Sequence, residues 1–147
     1  MFKHLLVPSD GSPLSQEAVR QAVRFAKEAG ASITAFYAKP HAPMPQYVEG
    51  IQIDRALQEQ YETIAEEQAQ RILGYVEGLC RDSGVACTVA KSTNDSPYEA
   101  IIEAATANGC DLIFMASHGR RGISGFLLGS ETNKVLTHSK IPVLVFR

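Results

Sequence analysis

The sequence predicts a single α/β domain built on a mostly parallel sheet. Short apolar runs alternate with longer segments of helical periodicity along the whole chain. That is the order expected when helices carry the right-handed crossovers between parallel strands. One run, Leu112-Ile113-Phe114-Met115-Ala116, is apolar at every position, as suits a strand covered on both faces. The length of 147 residues fits one domain, with a core that needs no metal or disulfide staple.

Leu5-Leu6-Val7 reads as the first strand, ended by the turn cluster Pro8-Ser9-Asp10-Gly11. Ser12-Pro13 is an N-cap followed by an N1 proline. Ala18, Val19, Ala22, Val23, Ala26 and Ala29 recur at helical spacing, and Gly30 stands where a C′ glycine belongs. Residues 33–38 form the second strand, and the proline-bearing stretch 39–50 a loop. A long helix is expected from Asp54 to Asp82, with Leu57, Tyr61, Ile64, Ile72, Val76 and Leu79 as its buried stripe. Residues 85–90 make the third strand. Ser96-Pro97 repeats the cap-and-proline start of a helix that stops at Asn108-Gly109. Residues 112–116 are the fourth strand, Ser130 opens a last helix through His138, and residues 141–146 are the final strand.

A net charge of −2 gives no electrostatic support for nucleic-acid or membrane-surface binding, and neither partner is expected. Cys80, Cys87 and Cys110 have irregular spacing, which is not a disulfide framework, and they read as structural thiols. No CxxC pair or histidine cluster suggests zinc. The first residues are too short an apolar run for a signal peptide, and with free thiols the expected compartment is the cytoplasm.

Ligands of open parallel sheets sit beyond the carboxyl ends of the strands, where the strand order reverses. Two predicted strand ends carry unusual chemistry: Pro8-Ser9-Asp10-Gly11-Ser12 after the first, and a segment with Gly119, Gly122, Gly125 and Gly129 after the fourth. If those strands are neighbours, both loops line one crevice. Glycines let backbone N–H groups approach a ligand, and Gly129-Ser130 lies at a predicted helix start, where unpaired N–H groups favour an anion. The Walker A lysine, the dinucleotide GxG after the first strand and the second histidine of HxGH are all absent. A receiver-type phosphoacceptor site is excluded, because Asp10 stands without a second acid.

Each residue has two readings. Asp10 binds a ribose hydroxyl or a metal ion, or it is a turn aspartate bonded to its own backbone. Ser9 and Ser12 are turn and cap residues before they are ligands. Arg120 and Arg121 neutralise a phosphate, or they are solvated loop charges. Ser130 and Thr132 bind phosphate or only complete a helix start. His118 has no nucleophile or carboxylate placed beside it by the sequence, so no catalytic residue is assigned.

The spacing Ala116-x2-Gly119-x9-Gly129-Ser130 resembles the G-x2-G-x9-G-[ST] pattern of nucleotide-binding members of the universal stress protein family. Similarity extends to Leu6-Val7-Pro8-Ser9-Asp10-Gly11-Ser12 and to Ser139-Lys140-Ile141-Pro142-Val143-Leu144-Val145, so it covers residues 1–147 as one domain of that family. The resemblance implies the family's adenine nucleotide alpha hydrolase-like fold, with strand order 3-2-1-4-5 and helices on both faces. It implies a cytoplasmic stress-response protein that binds an adenine nucleotide, ATP with Mg²⁺, and acts as a dimeric nucleotide-dependent regulator. Pro8, Ser9, Asp10 and Ala38 would meet the adenosine part, and Met115 and Ala116 would line the adenine. Gly119, Gly129, Ser130 and Thr132 would hold the phosphates, with His118 and Arg120 in the same binding loop.

Ala116 stands where the family pattern has glycine. Its methyl group fits an extended backbone and narrows the pocket in a left-handed one. In the implied order the last strand is an apolar edge, and a bare edge invites pairing. Pro142–Arg147 is therefore expected to join two copies. The alternatives are a nucleotide-free dimeric interaction protein and, more weakly, a slow ATP hydrolase using His118.

Overall fold

Nine elements alternate through the computed structural model, which describes residues 1–42, 55–119 and 128–147. They are β1 (His4–Pro8), α1 (Pro13–Ala29), β2 (Ser32–Lys39), α2 (Arg55–Ser83), β3 (Cys87–Thr93), α3 (Pro97–Ala107), β4 (Leu112–Ala116), α4 (Ser130–His138) and β5 (Val143–Phe146). The five strands form one sheet in the order β3-β2-β1-β4-β5. Every neighbouring pair is parallel. The order reverses between β1 and β4, where Leu5 pairs with Leu112 and Leu6 with Ile113.

Strand alternation divides the core. Leu5, Val7, Ile33, Ala35, Leu112 and Phe114 pack against α1 and α2 on one face. Leu6, Phe36, Ile113 and Met115 pack against α3 and α4 on the other. All five residues of β4 are buried, as its unbroken apolar run required.

The first helix forms as its sequence signals dictate. The Ser12 hydroxyl accepts the Ser15 N–H at 3.3 Å, Pro13 opens the helix, and Gly30 ends it at φ 68°, a conformation glycine adopts without a Cβ clash. Ala18, Val19, Ala22, Val23 and Ala26 are buried, whereas Ala29 is exposed in the last turn. The second cap differs from expectation. The Ser96 side chain makes no cap hydrogen bond. Instead the Asn94 side chain accepts the Ser96 N–H at 2.7 Å, and the Glu131 carboxylate, from α4, accepts the Tyr98 N–H at 2.9 Å. A carboxylate from a neighbouring helix thus supplies the negative charge that the α3 start favours.

Three boundaries move. β3 runs from Cys87 to Thr93 rather than over 85–90, because it pairs in register with all of β2 from Ile33 to Lys39. β5 begins at Val143, since Pro142 has no N–H to give a ladder. β2 extends to Lys39; most of the loop expected over 39–50 and the expected helix start at Asp54 lie outside the described residues.

The buried stripe expected along α2 holds only in its second half. Ala69, Ile72, Leu73, Val76 and Cys80 are buried, but Leu57, Tyr61 and Ile64 are exposed at 51%, 42% and 59%. The helix has 29 residues, about 43 Å at 1.5 Å per residue, and β2 and β3 have 8 and 7. Its front turns run past the end of the sheet, so their apolar side chains meet no core there. Among the described residues no helix is long and apolar enough to cross a membrane.

This division of α2 has a measurable consequence. Replacing Ile113, 0% exposed, with alanine should cost about 2–5 kcal/mol in urea denaturation. Leu57→Ala should stay within about 0.5 kcal/mol. A loss at Leu57 as large as that at Ile113 would show that the front of α2 is packed in solution.

Candidate functional site

Pairing of β1 with β4 brings their following loops together. The approach is close at one point: a Cβ built on Gly119 would stand 2.5 Å from Asp10 Oδ2. Oδ1 of the same carboxylate accepts the Ser12 N–H at 2.9 Å. Asp10 therefore closes its own turn with one oxygen and faces the second loop with the other.

The turn after β1 is internally saturated. Ser9 Oγ accepts from Gly11 N–H at 3.3 Å and from Ser15 Oγ at 3.0 Å. Ser15 Oγ accepts from Asp10 N–H at 3.3 Å. Ser9 N–H donates to the Phe36 carbonyl at 3.0 Å. Ser9, Ser12 and Ser15 are all buried. The backbone donors of residues 9–12 are thus engaged within the protein, so this turn is no anion cradle of its own. Pro8 ends β1, and Ala38 lies near the end of β2.

The segment after β4 is stitched at its base. Ser117 N–H donates to the Phe146 carbonyl at 2.7 Å, and Gly129 N–H to the Ser117 carbonyl at 2.8 Å. A Cβ on Gly129 would lie 3.0 Å from that same carbonyl oxygen and 3.3 Å from His118 Cα. Neither Gly119 nor Gly129 has a positive φ. Both glycines are therefore demanded by close approach, Gly119 against a side chain and Gly129 against backbone, rather than by a left-handed conformation.

The remaining candidates separate by position. Met115 and Ala38 belong to the cluster on the α3–α4 face. Ala116 is the last residue of β4 and pairs with Phe146. No non-glycine residue among those described has a positive φ, so its methyl group sits on extended backbone without strain. Alternation turns that methyl toward the α1–α2 face, away from Met115. His118 Nδ1 lies 2.9 Å from Ser117 Oγ, a hydroxyl that is buried. Ser130 is exposed at the first position of α4. Thr132 is buried, and its hydroxyl donates to the Ala116 carbonyl at 2.9 Å. Arg120, with Arg121, Gly122 and Gly125, lies outside the described residues. Among the described residues no group of three His, Cys, Asp or Glu side chains is placed to hold a metal ion.

One feature has no signal in the sequence. A cavity of about 460 Å³ opens between α1 and α2 beside the β1 turn, lined by Ser9, Gly11, Gln16, Gln68, Arg71 and Tyr75 among others. Its volume falls within the usual range for small-ligand pockets. Arg71 is exposed, and the crossing of α1 and α2 places it on the same cavity as Ser9 and Gly11.

The contact between the two loops can be tested by a double-mutant cycle. Gly119→Ala alone should cost about 1–3 kcal/mol. In an Asp10→Ala background the cost should shrink, with a coupling of about 0.5–3 kcal/mol. Gly129→Ala, which meets backbone, should gain nothing from Asp10→Ala. Full additivity of Asp10 and Gly119 would show that the loops do not touch in solution.

The family model for the universal stress protein family matches residues 1–147. A universal stress protein of Thermus aquaticus is 30% identical over 147 residues, covering 100% of both chains. Two solved structures speak for the fold. A universal stress protein in complex with cAMP aligns at a TM-score of 0.71 and 24% identity, covering 99% of this chain and 97% of its own. The universal stress protein of Archaeoglobus fulgidus in complex with dAMP aligns at 0.66 and 15%, covering 100% and 98%. With the same sheet order and a match along its whole length, the chain belongs to the universal stress protein family.

Proposed function

We propose that this protein binds an adenine nucleotide, ATP with Mg²⁺, in the crevice between the loops after β1 and β4, and acts as a dimeric nucleotide-dependent regulator in one domain. The observation that carries the reading is the meeting of Asp10 with Gly119 at the point where the sheet order reverses. Beside it, Gly129 and Ser130 begin α4, whose first-turn N–H groups have no intrahelical acceptor and favour an anion. Complexes of two family members with cAMP and dAMP support adenine nucleotides as the ligand class.

In this reading Met115 and Ala38 bound the base on the α3–α4 face. Asp10, carried by the turn of Pro8 and Ser9, meets the ribose. Gly119, Gly129 and Ser130 leave room for the phosphates, with His118 and Arg120 in the same loop. Thr132 contributes by holding the β4 carboxyl end through Ala116. The Mg²⁺ ion would be carried by the nucleotide's own phosphates, with Asp10 as the near carboxylate. Hydrolysis is at most slow, because no described side chain is placed to activate water. Isothermal calorimetry with ATP and Mg²⁺ should give saturable binding. Absence of heat at millimolar nucleotide would overturn the reading.

A second reading, a nucleotide-free dimeric interaction protein, is favoured by the final strand. Val143-Leu144-Val145-Phe146 is apolar throughout, stands at the sheet edge and is only half-buried. Pairing of the Pro142–Arg147 edges of two copies would cover it under either reading. Sedimentation should report about twice the 16.0 kDa chain mass. A species of single-chain mass at micromolar concentration would remove the dimer.

A further inference from the structure

We propose that the cavity between α1 and α2 is a ligand site separate from the crevice, and that it takes a small hydroxylated anion, a phosphate monoester or a carboxylate, with Arg71 as its cation. The cavity measures about 460 Å³, room for a small organic ligand. Gln68, Arg71, Ile72 and Tyr75 of α2 line it, and their spacing puts them on one face of the helix. Gln16 of α1 and Ser9 and Gly11 of the β1 turn complete the described lining. Arg71 is exposed and both glutamines are half-buried, so the cavity opens to solvent at its cation.

The walls are fixed by the protein's own bonds. Arg20, from α1, donates through Nη1 to the Tyr75 hydroxyl at 2.7 Å and through Nε to Glu17 at 2.8 Å. The two helices are thereby tied at one side of the cavity. Ser9 is buried, and its hydroxyl accepts from Gly11 N–H and from Ser15 Oγ, which holds the turn. Ile72 is part of the α1–α2 core. A pocket ordered in advance gives up little freedom when a ligand enters.

The polar groups left open define the ligand. Among the described residues the Arg71 guanidinium joins no ion pair or hydrogen bond. The Gln16 and Gln68 side-chain amides likewise have no hydrogen-bond partner there. No carboxylate stands among the described lining residues, and Glu17, next to Gln16, is engaged by Arg20 and Gln21. The cavity therefore carries one positive charge with no counter-charge of its own. A guanidinium presents a planar fork of donors that matches a carboxylate or a phosphate. Each amide both donates and accepts, which suits hydroxyl groups. Ile72 and the Tyr75 ring give the carbon body an apolar wall. A cationic ligand would meet repulsion from Arg71, and a wholly apolar one would desolvate the guanidinium and two amides with no bond in return. Gly119, Gly129 and Ser130 take no part, so the site does not rest on the nucleotide reading.

The test follows backbone amide NMR shifts of the full-length protein titrated with ribose 5-phosphate, with gluconate and, as the uncharged counterpart, with ribose. At least one anion should bind saturably at millimolar concentration and shift the amides of Gly11, Gln16, Gln68 and Arg71, and ribose should not. Saturation by ribose 5-phosphate alone assigns a phosphate monoester, and by gluconate alone a carboxylate. Arg71→Gln should weaken binding about tenfold or more, with the remaining spectrum showing an intact fold. Arg81→Gln removes the same charge from the same helix about 15 Å further along and should leave binding unchanged. No shift with either anion, shifts confined to Gly119, Gly129 and Ser130, binding of ribose as tight as that of the anions, or equal losses in Arg71→Gln and Arg81→Gln would each overturn the proposal. Calorimetry with ATP reads the crevice separately, and its failure leaves this result standing.

Discussion

The hydrogen-bonded pairing of β1 with β4 is the constraint on which the candidate site depends. Both strands lie inside the sheet, with helices on each face and apolar side chains at 0–3% exposure in Leu5, Leu6, Val7, Leu112, Ile113 and Phe114. A strand so enclosed cannot shift by one residue without turning its core side chains to the wrong face. Its carboxyl end is therefore fixed in space. Two fixed ends side by side force two following loops into contact, and that contact is Asp10 against Gly119. The site is a consequence of the sheet order before it is a consequence of any loop chemistry.

The two loops manage their backbone polar groups in opposite ways. After β1, three serines and one aspartate satisfy the turn from within, so the turn is rigid and offers a carboxylate edge rather than donors. After β4, hydrogen bonds from Ser117 and Gly129 close the base of the loop, and the helix start that follows retains its donors. A ligand with a neutral, hydroxyl-bearing portion and an anionic end matches that polarity. Thr132 joins the two levels of the structure, since its hydroxyl ties the start of α4 to the last carbonyl of β4. Glu131, one residue earlier, ties the same helix to the start of α3. The orientation of α4, and hence the direction of its N–H groups, is held by side chains rather than by apolar packing alone.

Much of this was legible in the residues. Ser12-Pro13 and Gly30 marked α1 because capping is local, and the unbroken run at 112–116 marked a doubly covered strand because burial on both faces leaves no polar position. The same reasoning failed on α2. Leu57, Tyr61 and Ile64 have the spacing of a buried stripe, but periodicity says only that a face is apolar and not that a partner stands opposite it. Ser96 failed as a cap for a similar reason, since a carboxylate from a distant helix took the position its hydroxyl would have served. The cavity lined by Gln16 and Arg71 had no local signature.

The sequence by itself determined the α/β class, the order of the elements, the family and the two segments that carry the candidate chemistry. Each rests on short-range rules of periodicity, capping and turn propensity, or on motif spacing. Only the tertiary structure decided why the motif glycines are glycines, that the Ala116 methyl sits on extended backbone facing away from Met115, that Thr132 is engaged, and which half of α2 is core. Those outcomes depend on what another segment places within a few ångströms. A one-dimensional pattern records the demand for a neighbour, and the packed sheet and its helices decide which neighbour answers it.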